Sequence, residues 1–154
     1  MRAFRKGFLV LLVLLAGSVL AAPRAGLRIE QAWARATPPM ATVAAAYLVV
    51  INDGDTPDRL LRIDSGIAQR IEMHHTANEN GVMRMRPIKG GAVIPAHGRL
   101  EFAPGGNHLM LIGPVRPLAA GESFEATLVF AHAGSRKVRF EVRGMDGGAP
   151  MHMH

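Results

Sequence analysis

The stretch IEMHHTANENGVMRMRP, residues 71–87, decides how this chain folds. Two segments of mixed apolar and polar character flank a polar turn that contains Asn80-Gly81, and an Asn-Gly pair in this setting is a strong β-hairpin signal. Side chains along a strand point alternately to two faces, so each face of the hairpin collects every second residue. The stretch predicts two antiparallel strands, 71–77 and 82–87, joined by a short turn.

The register of this hairpin decides which side chains face each other. If Ala77 pairs with Val82, His74 lies directly across from Met85. A tighter turn shifts the register by two residues and leaves His74 on the same face as Met83 and Met85. In both registers an imidazole and a thioether share one face of the hairpin.

A second segment, His108-Leu109-Met110, repeats the same pair of side-chain types. His108 and Met110 are two residues apart, so on a strand they share a face while Leu109 takes the opposite one. The imidazoles and thioethers of the two segments therefore converge if the two faces meet.

This combination of side chains favours a soft, low-valent metal. Thioether sulfur is a neutral, polarizable donor that prefers Cu(I), whereas neutral imidazole binds Cu(I) and Cu(II) alike. The chain has no cysteine, which excludes a disulfide framework, a thiol nucleophile and any thiolate metal site. The sequence thus predicts a copper site of His74, Met85, His108 and Met110, with Met83 as an auxiliary ligand.

The other histidines and methionines in the body of the chain have structural interpretations. Three methionines are expected to fill the core: Met40, Met73 and Met145. His75 points to the face opposite His74, and His97 and His132 lie in turn contexts, so none of these three is expected to be a ligand.

Three further residues have both a structural and a functional interpretation. Glu72 shares the face of His74 and is either an acceptor that orients the imidazole or an ordinary solvated residue. Trp33 and Tyr47, each the only residue of its kind, lie in predicted strands with apolar neighbours, which favours a place in the core over a binding role.

Length and charge restrict the class of protein. A chain of 154 residues is long enough for one well-packed domain. The formal charge is +6, but Arg2, Arg5 and Lys6 lie in a segment that we expect to be removed, which leaves 15 of the 18 basic residues against 12 acidic ones. The remaining basic residues are scattered without interleaved aromatics, so nucleic-acid binding is not expected.

Residues 1–22 have the pattern of a signal peptide: a basic start, an apolar run and small residues at the cleavage position. The run is short for a membrane span, and no stable membrane insertion is expected after cleavage. No cysteine follows the run, which excludes lipid attachment there. We expect a periplasmic protein.

Short segments alternate with turn residues throughout residues 23–146, and this pattern predicts one antiparallel β-sandwich. We expect nine strands, at 27–34, 44–52, 59–64, 71–77, 82–87, 99–103, 108–112, 123–130 and 136–143. Residues 65–70 are the only candidate for a helical turn.

Residues 147–154 form a predicted flexible tail that ends in four potential ligands: Met151, His152, Met153 and His154. We interpret it as an auxiliary copper-capturing arm that recruits Cu(II) through its imidazoles or lends thioethers to Cu(I). The alternative is a disordered end of no consequence.

The pattern as a whole resembles the periplasmic copper chaperone family called PCuAC, whose signature is a His, a Met after ten residues and a distal His-x-Met. Ten residues separate His74 from Met85, and His108-Leu109-Met110 supplies the distal element. The gap of 22 residues from Met85 to His108 is one longer than the family pattern. Further similarities lie around Trp33, at 94–96 and at 104–111, so the resemblance covers nearly the whole mature chain.

The resemblance implies a cupredoxin-like fold, an antiparallel Greek-key sandwich that is all-β. It also implies a non-enzymatic chaperone that delivers Cu(I) toward the CuA centre in subunit II of cytochrome c oxidase, alongside a Sco-type thiol protein. We expect a monomer. The alternative with the same site is a periplasmic copper-buffering or resistance protein without a dedicated acceptor.

Other classes of function fit the residues less well. An electron-transfer blue-copper protein requires a thiolate, which the chain lacks. An oxidative enzyme with a histidine brace requires a histidine at the mature N-terminus, where Ala22 or Pro23 is expected. Hydrolytic zinc chemistry favours carboxylates over thioethers, and a pure interaction module predicts no stoichiometric copper.

Overall fold

The computed structural model of the chain describes residues 26–147, which form ten β-strands. The strands are β1 (Leu27–Arg35), β2 (Val43–Asn52), β3 (Asp58–Asp64), β4 (Ala68–Glu79), β5 (Val82–Pro87), β6 (Ala92–Ile94), β7 (Arg99–Phe102), β8 (His108–Pro114), β9 (Ser123–Phe130) and β10 (Gly134–Arg143). The described part contains no helix. The expected signal peptide at 1–22 and the tail from 148 to 154 lie outside the described residues.

The strands form one continuous sheet that folds over itself as a sandwich. Its order is β5-β4-β8-β2-β1-β10-β9-β3-β6, and β7 pairs with β2 beyond the end of β8. The all-β sandwich is therefore confirmed. One pairing departs from the antiparallel expectation, because β1 and β10 run parallel where the two layers join.

The core lies between the layers and is built by strict alternation. In β2 the inward residues Ala44, Ala46, Leu48 and Val50 are almost completely buried. The other large side chains that are almost fully buried come from both layers: Leu60, Ile94, Phe102, Leu109, Leu111, Leu118, Leu128 and Phe140. The histidine and methionine side chains of β4 and β8 that alternate with this core therefore lie on the outer face of the first layer.

The predicted strands are confirmed with small shifts of their ends, with two exceptions. The three-residue strand β6 was not expected, because Ala92–Ile94 is too short to show a period-2 pattern. The expected helical turn at 65–70 is wrong, since β4 begins at Ala68. In the turn before it, Ser65 Oγ accepts a hydrogen bond from the backbone N–H of Ile67 at 3.3 Å.

Two of the expected core methionines are also misplaced. Met40 is 93% exposed and Met145 is 61% exposed, whereas Met73 is buried as expected. Both exposed methionines lie in loops, outside the alternation that directs side chains inward. Trp33 and Tyr47 are buried as expected, but they lie on the outer face of the sheet and outside the core cluster.

The turn between β4 and β5 fixes the register of the hairpin. Glu79 pairs with Val82, and both turn residues have positive φ (54° for Asn80 and 83° for Gly81), which is the conformation of a two-residue type I′ turn. Direct pairing of His74 with Met85 is therefore wrong. His74 lies across from Pro87 and Met85 lies across from Thr76, the register of the tighter turn.

Candidate metal centre

The antiparallel pairing of β4 with β8 places His74 directly across from His108. Their ring centroids are 5.6 Å apart and the rings meet edge to face at 61°. Each residue is only 9% exposed, although both lie on the outer face of the sheet. Two residues that are 34 positions apart in the sequence (108 minus 74) thus form one imidazole pair.

Each ring of this pair uses one nitrogen for a hydrogen bond within the protein. His74 Nε2 donates to Glu72 Oε2 at 2.9 Å. His108 Nδ1 donates to the carbonyl oxygen of Gly106 at 3.2 Å and has Thr76 Oγ1 at 3.4 Å. When one ring nitrogen carries the donated proton, the other nitrogen of a neutral imidazole presents a lone pair.

The two lone-pair nitrogens have no partner. His74 Nδ1 and His108 Nε2 are buried and make no hydrogen bond with any of the described residues. A buried polar atom without a partner costs about 1–3 kcal/mol of stability, so such atoms are uncommon unless something else satisfies them. A metal ion is the natural acceptor of two such lone pairs.

The two thioethers lie on the same outer face as the imidazoles, on the strands at either side of β4. Met110 lies across β4 from Glu72 and across β2 from Ala45, on the face that carries the imidazoles. Met85, across from Thr76, lies on that face of β5. Met85, His108 and Met110 line one groove of about 410 Å³.

The structure therefore places Met85, His108 and Met110 around one groove, whereas His74 does not line the groove and lies next to it through its pairing with His108. Met83, the auxiliary residue, lies across from Asn78, two positions farther toward the turn, and does not line the groove. It is 57% exposed. The auxiliary residues of the tail, Met151 to His154, lie outside the described residues.

The carboxylate of Glu72 bridges His74 and Arg70. One oxygen of its carboxylate accepts from Arg70 Nε at 2.8 Å, and the other accepts from His74. The hydrogen bond from Arg70 and, to a smaller extent, the one from His74 hold the pKa of the Glu72 carboxyl below its ordinary value. Glu72 therefore remains an acceptor and fixes the proton of His74 on Nε2, which leaves Nδ1 free.

Sequence reasoning missed Thr76 and Arg35 around the site, and it favoured a core position for Tyr47, which lines the groove. Thr76 contacts His108, and its two-residue spacing from His74 was a usable signal for their shared face. Arg35 and Tyr47 line the groove because β1 and β2 continue the same outer face. Neither strand pairing can be deduced from the local sequence.

The outer face continues from the groove as an aromatic cluster. The rings of Trp33 and Tyr47 lie 4.6 Å apart, and the guanidinium of Arg143 lies 4.9 Å from the centroid of the Trp33 ring. Of this cluster, Tyr47 lines the groove on the side away from β4.

The remaining histidines lie as the sequence analysis places them. His75 is exposed and its Nδ1 lies 2.7 Å from Asn107 Oδ1, on the face opposite His74. His97 lies in a turn and contacts Asp55, and His132 is exposed in another turn. None of the three reaches the groove.

Two absences can be stated for residues 26–147. No group of three or more histidine, aspartate or glutamate side chains in this range is placed to hold a metal ion. The same range contains no helix with the length and hydropathy needed to cross a membrane.

Comparison with protein families and curated proteins gives two findings. The family model described as "Putative lipoprotein LpqE-like" matches residues 27–142. A protein of Leifsonia xyli subsp. xyli, named "Putative lipoprotein Lxx21020", is 34% identical over 122 residues, which are 79% of this chain and 72% of that protein.

Solved structures with this architecture include PCuAC domains with and without copper. The copper-bound PCuAC domain from PmoF2 is 29% identical, with a TM-score of 0.65 over 82% of this chain and 96% of that domain. The solution structure of CuI-DR1885 from Deinococcus radiodurans is 28% identical, with a TM-score of 0.57 over 82% of this chain and 83% of that one.

Proposed function

Because the chain belongs to the LpqE-like family and its structural relatives are PCuAC domains, we propose that it is a non-enzymatic copper carrier. It binds one Cu(I) ion through two imidazoles and two thioethers: His74, His108, Met85 and Met110.

The observation that carries this proposal is the pair of unpartnered ring nitrogens. His74 Nδ1 and His108 Nε2 are buried, lie on facing strands and belong to rings 5.6 Å apart. Their other nitrogens are held by Glu72 and by the Gly106 carbonyl, which fixes the tautomer that a metal requires.

The donor set selects Cu(I) over harder or divalent ions. Thioether sulfur is a poor ligand for Zn²⁺ and for hard cations, whereas Cu(I) accepts both sulfur and imidazole nitrogen. All four donors are uncharged, so the ligands add no negative charge around the copper ion. Such a site can release the ion by exchanging one ligand at a time.

Exposure of one ligand supports a carrier rather than a permanent copper protein. Met85 is 53% exposed on β5, where an incoming acceptor ligand can replace its sulfur. The buried imidazoles meanwhile keep the ion in place. A permanent electron-transfer centre keeps its copper and therefore does not need a solvent-exposed ligand.

The destination of the copper is a further part of the proposal. The acceptor is the CuA centre in subunit II of cytochrome c oxidase, reached in the periplasm by the monomeric chain together with a Sco-type thiol protein. Residues Met151 to His154 act as an auxiliary arm that captures copper, and Met83 offers a sulfur beside Met85. A copper-buffering protein without a dedicated acceptor has the same site, so only a transfer assay separates the two functions.

The test measures copper binding and copper transfer separately. Cu(I) is titrated under reducing conditions against a chromophoric chelator, and X-ray absorption counts the sulfur and nitrogen neighbours in the full chain and in a chain that ends at Gly147. We expect one ion with two nitrogen and two sulfur neighbours in the shorter chain. Failure to bind Cu(I), or a first shell without sulfur, contradicts the proposal.

Transfer is then measured from the loaded chain to the purified, copper-free CuA domain. Faster transfer than from a Cu(I)-chelator complex of matched affinity supports a carrier with a dedicated acceptor. Equal rates support the buffering function instead.

A further inference from the structure

The seam between β1 and β10 is open along most of its length. The two strands pair only at Trp33–Arg35 with Glu141–Arg143. Among residues 26–147, no backbone hydrogen bond joins Leu27–Ala32 to Gly134–Phe140. Each of these segments is paired on its other side, with β2 and β9 respectively. Two strand edges with unpaired N–H and C=O groups therefore border one gap.

A β-bulge in β1 opens this gap. The register with β2 shifts between Glu30 and Trp33, where β1 has one extra residue, and Gln31 has a φ of 52°. A bulge bends its strand and increases the local twist. The first half of β1 consequently pairs only with β2, whereas Trp33 and Ala34 pair with β2 on one side and with β10 on the other.

The gap has an apolar floor. Leu27, Ile29 and Val138 line it, and these half-buried side chains pack against the core cluster. The gap has a volume of about 630 Å³, which is enough for several residues of an extended chain. An open edge above an apolar floor is the geometry at which peptides add as strands.

The walls of the gap are strongly basic. Arg136, Lys137, Arg139 and Arg143 line it with a single carboxylate, Glu141, which is a net charge of +3 from four cations and one anion. No ion pair among the described residues includes Arg136, Lys137 or Arg139. Cations that form no ion pair with the described residues are available to an acidic ligand.

We propose that this seam binds an extended, acidic segment of a partner protein by strand addition. The backbone of the segment completes the free edge of β1 or β10, its apolar side chains lie on Leu27, Ile29 and Val138, and its carboxylates meet the basic walls. The site is independent of copper. His74 and His108 do not line the gap, so the proposal does not depend on the imidazole pair.

The test uses a labelled synthetic peptide of seven alternating glutamate and valine residues as the probe. Fluorescence anisotropy measures its binding to the full chain at physiological salt. We expect R136E/R139E to weaken binding about tenfold, because the charges of the half-buried Arg136 and the exposed Arg139 are reversed. The control R62E/R99E changes the net charge equally, outside the seam, and should bind as the unmodified chain does.

Two further measurements distinguish strand addition from simple charge attraction. A peptide N-methylated at alternate residues keeps its carboxylates but loses backbone donors, and it should not bind. Hydrogen exchange should slow at 27–32 or 134–140 when the unmodified peptide is added.

Several outcomes would overturn the proposal. These are no binding up to about 1 mM peptide, equal binding by R136E/R139E, equal binding of the N-methylated peptide, or slowed exchange elsewhere. Binding to phosphatidylglycerol vesicles that R136E/R139E abolishes, without peptide binding, would identify the seam as a membrane-surface contact instead. None of these outcomes depends on copper, so they leave the proposed carrier function untouched.

Discussion

The candidate copper site draws on two regions that differ in burial and in structural support. The imidazole pair lies on β4 and β8, which are flanked by other strands of the sheet, and each ring is 9% exposed. Met85 lies on the edge strand β5, which pairs only with β4 and whose six residues are all exposed. We therefore expect the buried region to determine where the ion binds and the exposed region to determine how it enters and leaves.

The largest effect is expected from the buried region. His108→Leu removes one of the two unpartnered lone pairs and should weaken Cu(I) by about 100-fold or more, beyond the range for residues that only orient a ligand. Chelator competition measures the affinity, and circular dichroism of the copper-free form checks the fold. His75→Leu on the opposite face of β4 is the matched control and should bind as before. Comparable loss in both variants would remove the distinction between the two faces.

A smaller loss is expected when the exposed thioether is replaced. Met85→Leu keeps the shape but removes the soft donor, so Cu(I) affinity should fall roughly 30-fold, or about 2 kcal/mol, with little change for Cu(II). The exposed Met145→Leu controls for the general effect of losing a methionine. Equal losses for Cu(I) and Cu(II) would contradict the role of Met85 as a soft ligand.

Glu72→Gln tests whether the carboxylate positions the buried ring. Without a carboxylate acceptor the proton of His74 is less firmly held on Nε2, and Cu(I) affinity should fall about tenfold, the low end for partners of metal-binding histidines. Arg70→Gln, which removes the other contact of Glu72 but leaves that of His74, should change affinity less. X-ray absorption of the loaded variant should still count two nitrogens. An unchanged affinity would show Glu72 to be an ordinary solvated residue.

The smallest effect is expected from the turn of the exposed hairpin. Gly81 has a φ of +83°, and a Cβ added there would meet no atom within 4 Å. Gly81→Ala therefore strains only the backbone, by about 1 kcal/mol. Hydrogen exchange at 82–86 should become faster, and Cu(I) affinity should fall about threefold or less. Gly121→Ala, at a φ of +89° and equally open, is the control. A tenfold loss of affinity would mean that the hairpin supports the imidazoles as well.

The sequence predicted the elements of this site better than their arrangement. The hairpin follows from Asn80-Gly81, and the shared face of His108 and Met110 follows from their spacing. The sequence left two registers open, and the structure has the tighter one, in which a two-residue turn pairs Glu79 with Val82. Turn type depends on backbone conformation that residue identity only biases.

The non-local features could not be deduced from the sequence. Nothing in the local pattern places β4 beside β8, so the pairing of His74 with His108 and the two unpartnered nitrogens emerged only in three dimensions. The parallel pairing of β1 with β10 was also not anticipated. Met40 and Met145 show the converse error, because apolar character in a loop does not imply burial.

The parallel pairing of β1 with β10 also has a consequence for the order of events in folding. Trp33 and Glu141 are 108 residues apart (141 minus 33), so the two layers can be joined only after nearly the whole domain has been synthesised. Such long-range pairing is slow, because the entropy of closing a long loop precedes the gain in contacts. We therefore expect the ligand strands β4, β5 and β8 to lack a completed scaffold until the last strand arrives, and metal loading to follow closure of the sandwich.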